Sequence, residues 1–187
     1  LWRAQFAGVE RLFATSRFLA GRIAMLLERE VEWRAAGIEL RSLQSVGAVD
    51  PRRGRLRFGF FGALLRSKGV HLLLEAFAPL AERAELFVNG GSRDSVYVER
   101  IARRAAELGV TMRGAYGRAE LAARLAQVDV VVGPSLWSEN APFAVREAFA
   151  ARRPVIAART EALGESVRQG VDGCLFTRGS ERELRST

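Results

Sequence analysis

At 187 residues and 49% hydrophobic, the chain is long enough to bury a sizeable core, which excludes an intrinsically disordered protein. Its 29 Lys and Arg against 21 Asp and Glu leave a net charge of +8, but the arginines are scattered over helix faces with no aromatic-basic interleaving and no recognition helix, so no nucleic-acid partner is read from the charge. One cysteine, Cys174, and one histidine, His71, exclude an internal disulfide and leave no ligand cluster for a metal.

The most apolar early stretch, Phe18 to Leu27, is too short to cross a bilayer and is interrupted by Arg22, so any membrane contact is expected to be peripheral. The chain starts at Leu1 without a methionine, and Gly179 to Thr187 is polar with no sign of a completed last element. A fragment of a longer protein is the expectation.

In chain order, Val9 to Ala14 reads as a short strand, and Thr15 and Ser16 stand where a helix cap belongs. The spacing of Phe18, Leu19, Ile23, Leu26 and Leu27 predicts a helix from Arg17 to Ala36, stopped by Gly37. Val46 to Gly54, rich in turn formers and charge, is the best domain boundary. The division is 1–50 for the tail of a preceding domain with its linker, and 51–187 for the main domain.

From Leu56 the pattern becomes regular. Strands are predicted at Leu56–Phe61, Glu85–Asn89, Val110–Arg113, Val128–Gly133, Val155–Ala158 and Cys174–Thr177, alternating with helices at Val70–Arg83, Asp94–Leu108, Arg118–Gln127, one starting at Pro142, and Glu161–Arg168. This alternation implies right-handed crossovers and a doubly wound, Rossmann-like parallel sheet of about six strands, an α/β fold. Ligands of such sheets sit beyond the carboxyl ends of the strands. Three loops become candidates: Gly62–Gly69, Gly90–Asp94 and Pro134–Pro142.

The third loop carries the most chemistry. Pro142 suits the first helical position, leaving the amides of Phe143, Ala144 and their neighbours free to favour an anion. Glu147, one turn in, can accept hydrogen bonds from two adjacent hydroxyls, as on a ribose, and Glu139 lies in the loop itself. Spacing alone leaves both open to a plain reading as an exposed helix residue and a loop charge. In the first loop Lys68 follows Gly62, with Arg66 two residues earlier, a glycine and a cation suited to a diphosphate. The loop is not a Walker sequence, because Gly69 follows the lysine, and the glycines of a dinucleotide fingerprint are missing. His71 is read as a packing residue.

The series FGFFGALLRSKGVHLLLEAF, LFVNGG, VDVVVGPSLWSENAPFAVREAFAARRPVIA and ESVRQGVDGCLF resembles the donor-binding domain of retaining, family-4 glycosyltransferases of the GT-B fold, over roughly Arg57 to Thr177. Arg11 to Ala20 is similar to the last strand and helix of that family's N-terminal, acceptor-side domain, with a linker near Ser45 to Pro51. The resemblance implies a nucleotide-diphosphate sugar as donor substrate and no cofactor or metal. It also implies an acceptor glycan or lipid-linked sugar bound through the other domain, and a cytoplasmic location peripheral to the membrane. Glu139 would lie by the donor sugar and Glu147 on the ribose. Lys68 would neutralise the diphosphate leaving group, Gly62 would let it approach, and Asn140, Ala141, Pro142 and Phe143 would cradle sugar and phosphates. Arg113, Gly114 and Tyr116 would flank the base. Many members carry an arginine directly after the glycine at position 62, where this chain has Ala63, and Arg66 is the available substitute. The resemblance implies that this piece binds a nucleotide without transferring sugar by itself. A degenerate binding module and a nucleotide-sugar epimerase are the alternatives.

Overall fold

The apolar runs and turn residues condense, in a computed structural model that describes residues 2–49 and 54–187, into two unequal parts of one chain. Helix α1 (Trp2–Gln5), strand β1 (Phe13–Ala14), helix α2 (Arg17–Leu27), strand β2 (Glu32–Trp33) and the single turn α3 (Arg41–Gln44) come first. The regular alternation follows as β3 (Leu56–Phe61), α4 (Val70–Phe77), β4 (Ala84–Asn89), α5 (Ser95–Glu107), β5 (Thr111–Gly114), α6 (Arg118–Leu125) and β6 (Val130–Gly133). It continues through α7 (Phe143–Ala150), β7 (Val155–Arg159), α8 (Glu161–Ser166), β8 (Gly173–Thr177) and α9 (Glu181–Ser186).

The six longer strands form one sheet in the order β5-β4-β3-β6-β7-β8, and every neighbouring pair is parallel. Successive strand residues point to opposite faces, so Phe60 and Val132 enter one core while Phe61 and Val131 enter the other. The first core is closed by α4, α5 and α9 through Leu74, Ile101 and Leu184; the second by α6, α7 and α8 through Leu125, Val145 and Leu163. This is the doubly wound sheet expected from the alternation. Strand order steps outward in one direction from β3 and in the other from β6, which makes their junction the topological switch point.

A buried ion pair sets that junction. The Asp129 carboxylate, 3% exposed, accepts from the Arg57 backbone N–H at 2.9 Å and from its guanidinium at 2.7 and 3.1 Å, while the Asp129 N–H donates to the Arg57 carbonyl at 2.7 Å. Bidentate geometry plus a backbone donor offsets the desolvation of the two charges and ties β3 to β6 in one register.

Several boundaries differ from the sequence expectation. Helix α2 stops at Leu27 rather than running to Ala36, because Glu28 turns left-handed (φ 52) and β2 then pairs parallel with β1. The Arg29 guanidinium binds the carbonyls of Phe6 and Val9 and holds the reversed chain. Pro79 converts the end of the predicted Val70–Arg83 helix into a 3-10 turn, since its ring removes a backbone donor. Gly179 to Thr187 completes an element after all: Ser180 caps α9, and Leu184 is buried. The expected boundary at Val46–Gly54 and the linker Ser45–Pro51 fall partly on residues 50–53, outside the described residues. Upstream of them, Leu43 and Val46 are buried in the second core, and the Gly47 carbonyl accepts from buried Arg153 at 2.8 Å.

Candidate functional site

The carboxyl ends of β3 and β6 splay into the first and third candidate loops, and between them lies an open cleft of about 210 Å³. Gly62 and Lys68 line it from the first loop, Ser135, Glu139, Ala141 and Pro142 from the third, Phe143, Ala144, Val145 and Glu147 from the start of α7, and Tyr116 from the segment after β5.

Backbone contacts lock the two loops together. Lys68 ends a 3-10 turn whose cap, Gly69, adopts φ 72 and packs so tightly that a Cβ there would sit 2.0 Å from the Pro134 carbonyl oxygen. The Leu136 N–H donates to the Ser67 carbonyl at 2.7 Å. The turn delivers Lys68 across the cleft to Glu139, with Nζ and Oε1 2.6 Å apart. The buried Ser135 hydroxyl donates to the same Oε1 at 2.8 Å. Glu139 therefore has one oxygen engaged twice, and its Oε2 accepts no hydrogen bond from the described residues. The side chains of Lys68 and Glu139 are 27% and 13% exposed, which places a partly desolvated charge pair at the switch point, where its Coulomb attraction is stronger than in water.

On the α7 wall, burial raises the Glu147 carboxyl above the usual carboxylate range, and Arg118 only partly opposes it. Tyr116 is pushed up to about 12, first by burial and then by the Glu147 charge, against the pull of Arg124. Its hydroxyl stays protonated and able to donate. The ring meets Phe61 edge to face at 5.9 Å, so the strand end and the loop after β5 form one apolar side. A flat apolar wall facing a carboxylate suits a nucleoside, with the base on the ring and hydroxyls on Glu147.

Pro142 sits one position earlier than expected, at the N-cap of α7 with φ −77 and ψ 76. This changes the amide inventory: the Phe143 N–H is taken by the Ala141 carbonyl at 2.8 Å and the Val145 N–H by the Pro142 carbonyl at 3.1 Å. The amides expected to be free at this helix start are thus partly used by the tight turn that the proline imposes.

Of the residues singled out in the sequence, Gly62, Lys68, Tyr116, Glu139, Ala141, Pro142, Phe143 and Glu147 meet in the cleft. Arg66, Asn140, Arg113 and Gly114 are not among its lining residues. The Arg66 guanidinium lies 5.4 Å from the centre of the Tyr97 ring, drawn there by a cation–π contact. Arg113 stacks on Phe87 at 3.9 Å and donates to Gln127. Gly114 spends its carbonyl on Gly90 and Arg124. Asn140 is exposed, and its carbonyl accepts from the Thr15 hydroxyl at 3.1 Å. His71 bonds the Tyr97 hydroxyl through Nδ1 at 3.0 Å, a packing role as expected. Sequence reasoning missed Ser135; its place four residues before Glu139, in a loop, was the available signal.

The described architecture matches solved structures. HepE of Anabaena, in complex with UDP and glucose, is similar with a TM-score of 0.78 and 23% identity, over 94% of this chain and 51% of that one. A glycosyltransferase from Rickettsia africae ESF-5 matches at TM-score 0.85 and 14% identity, over 99% and 55%. The sucrose-phosphate synthase of Thermosynechococcus elongatus matches at 0.83 and 21%, over 99% and 49%. At these identities the likeness is one of fold, the Rossmann-like fold of GT-B glycosyltransferases, and the chain spans about half the length of each. No curated protein matches it in sequence. Residues 55–186, from the edge of β3 to the last turn of α9, match the model of the family described as glycosyl transferases group 1, and the chain belongs to that family.

Proposed function

We propose that the chain is the donor-binding half of a retaining glycosyltransferase, which takes a nucleotide-diphosphate sugar and delivers the glycosyl unit to a hydroxyl in glycan, polysaccharide or glycolipid biosynthesis. The observation that carries this reading is the placement of Lys68, Glu139 and Glu147 around one cleft at the switch point of the sheet. Lys68 neutralises the diphosphate as the glycosidic bond breaks, which stabilises the charge that develops on the leaving group. Glu139 holds the donor sugar, Glu147 accepts from the ribose hydroxyls, and Tyr116 supports the base. The binding of UDP and glucose by the Anabaena relative supports a nucleotide sugar as ligand.

The acceptor, a glycan or a lipid-linked sugar, is met by residues of another domain, so the chain binds nucleotide without transferring sugar by itself. No helix among the described residues is long and apolar enough to cross a membrane. A peripheral contact at the cytoplasmic face is supported by the net positive charge and by Met25 and Leu26, which are 73% and 66% exposed on α2 beside Arg22. Titration calorimetry with UDP, GDP, UDP-glucose and GDP-mannose tests the central claim: binding of at least one of them is expected, and heat from none of them by the folded chain overturns it.

A second reading, a non-catalytic binding module of the same fold, is favoured by Ala63 together with the position of Arg66 on Tyr97, which leave Lys68 as the one Lys or Arg lining the cleft among the described residues. Glu139→Gln in the longer protein separates the two, because only an enzyme loses turnover.

A further inference from the structure

Among the described residues the cleft has one lining cation, and it is already neutralised. The Lys68 Nζ lies 2.6 Å from Glu139 Oε1, the Ser135 hydroxyl reaches the same oxygen at 2.8 Å, and Ser135 is 4% exposed. A diphosphate on Lys68 competes with Glu139 for the ammonium: its three N–H donors can reach both, but one positive charge is then divided between two anions. The Glu139 side chain is 13% exposed, so the weakened pair leaves a poorly hydrated carboxylate that leans on Ser135. A bare nucleoside diphosphate brings acceptors only to this end of the cleft and offers Glu139 nothing in return. A glycosylated nucleoside diphosphate brings sugar hydroxyls, which donate, and a hydroxyl on Glu139 makes up for the weakened ammonium contact.

We propose that the Lys68–Glu139 pair makes the cleft selective for the glycosylated over the bare nucleoside diphosphate, with Ser135 as the positioning residue that keeps Glu139 in place during the exchange. This rests on the donor-binding reading above and deepens it. Once the glycosyl unit has left, its hydroxyls no longer serve Glu139, and the ion pair re-forms in competition with the diphosphate. The same pair therefore favours donor entry and product release. Ser135 contributes by fixing Oε1, which leaves Oε2 to face the incoming hydroxyl.

The test compares dissociation constants of UDP with UDP-glucose, and of GDP with GDP-mannose, by calorimetry on the native chain and on Glu139→Gln, Ser135→Ala, Ser135→Thr and Lys68→Gln. The native chain is expected to prefer one sugar nucleotide over its bare diphosphate by about tenfold, the ratio that 1.4 kcal/mol represents. Glu139→Gln is expected to bind the bare diphosphate more tightly than the native chain, because Lys68 is released, and to lose the preference for the sugar. That gain should vanish when Lys68→Gln is added, which a general loosening of the loop would not produce. Ser135→Ala should narrow the preference, and Ser135→Thr, which keeps the hydroxyl, should restore it. Bare diphosphate binding that is no tighter in Glu139→Gln overturns the selectivity proposal alone. Absence of binding by all four nucleotides to the folded native chain overturns the donor-binding reading and this proposal with it.

Discussion

The α-carbon of Gly69 faces the carbonyl oxygen of Pro134 so closely that a Cβ would stand 2.0 Å from it, and this contact joins the two loops of the cleft. Gly109, at the end of α5, has nearly the same left-handed backbone, φ 65 against φ 72, but nothing lies within 4 Å of its would-be Cβ. The pair separates backbone strain from crowding. Gly109→Ala should lose about 1 kcal/mol, the conformational cost alone. Gly69→Ala adds a backbone clash, and should also push the Lys68 turn away from Glu139. Urea unfolding and UDP or GDP calorimetry on both variants check this. Equal stability losses with equal nucleotide affinity would show that the loop contact does not shape the site.

The Arg57–Asp129 pair makes a prediction about the sheet itself. Asp129 is buried, and Arg57 is held above its ordinary value first by the hydrogen bond to that carboxylate. Asp129→Ala leaves the guanidinium beside a hole where β3 meets β6, and breaking a buried pair in this way costs about 3–5 kcal/mol. A denaturant midpoint within error of the native chain would show that the pair contributes nothing at the switch point.

Glu147 ties pH to stability. Its carboxyl is raised from 4.5 by burial, so the fold favours the protonated form; that contribution is complete below 4.5 and is lost as pH rises through the raised value. A glutamine at this position would carry no such charge. Glu147→Gln should therefore melt above the native chain at about pH 8 and converge with it near pH 4, while binding nucleotide less tightly. Thermal melts across this range decide the matter: a variant less stable than the native chain at about pH 8 contradicts the argument.

The alternation of strands and helices was legible because most buried strands are short apolar runs and most loops carry Gly, Pro or Asn, signals that tertiary contacts reinforce. Lys68, Glu139 and Glu147 were legible because they follow strand ends, which the parallel topology gathers at one edge. What failed to show were decisions made by long-range contacts. The end of α2 is set by pairing of β2 with β1 and by Arg29 on distant carbonyls, and neither changes the helical spacing of Phe18 to Leu27. Arg66 has the right position along the chain to assist Lys68, yet the Tyr97 ring 31 residues away captures it. The amides at the start of α7 depend on one proline dihedral, which a residue letter does not encode.

Ala63 is a direct test of the missing second cation. It is exposed at the start of the Gly62–Gly69 loop, next to a residue that lines the cleft. Ala63→Arg should tighten nucleoside diphosphate binding by about tenfold through a charge-assisted hydrogen bond, with a smaller gain for the monophosphate. Unchanged affinity for both would mean that the position points away from the phosphates.

The N-terminal segment is coupled to the cleft through Glu165. Its carboxylate accepts from the Arg17 N–H at 2.9 Å and the Phe18 N–H at 2.6 Å, the first amides of α2, while Ser16 accepts from the Leu19 N–H. An anion at a helix start is stabilising both as a hydrogen-bond acceptor and against the helix dipole, together about 1 kcal/mol. Next to it, the Thr15 hydroxyl holds the carbonyl of Asn140, the residue after Glu139. The geometry of the loop that carries Glu139 therefore depends on where β1 and α2 sit. Glu165→Ala should speed amide hydrogen exchange in residues 15–27 and leave β3 protected, and both it and Thr15→Val should weaken nucleotide binding several-fold, about 1 kcal/mol each. Faster exchange with unaltered binding would make these contacts purely structural.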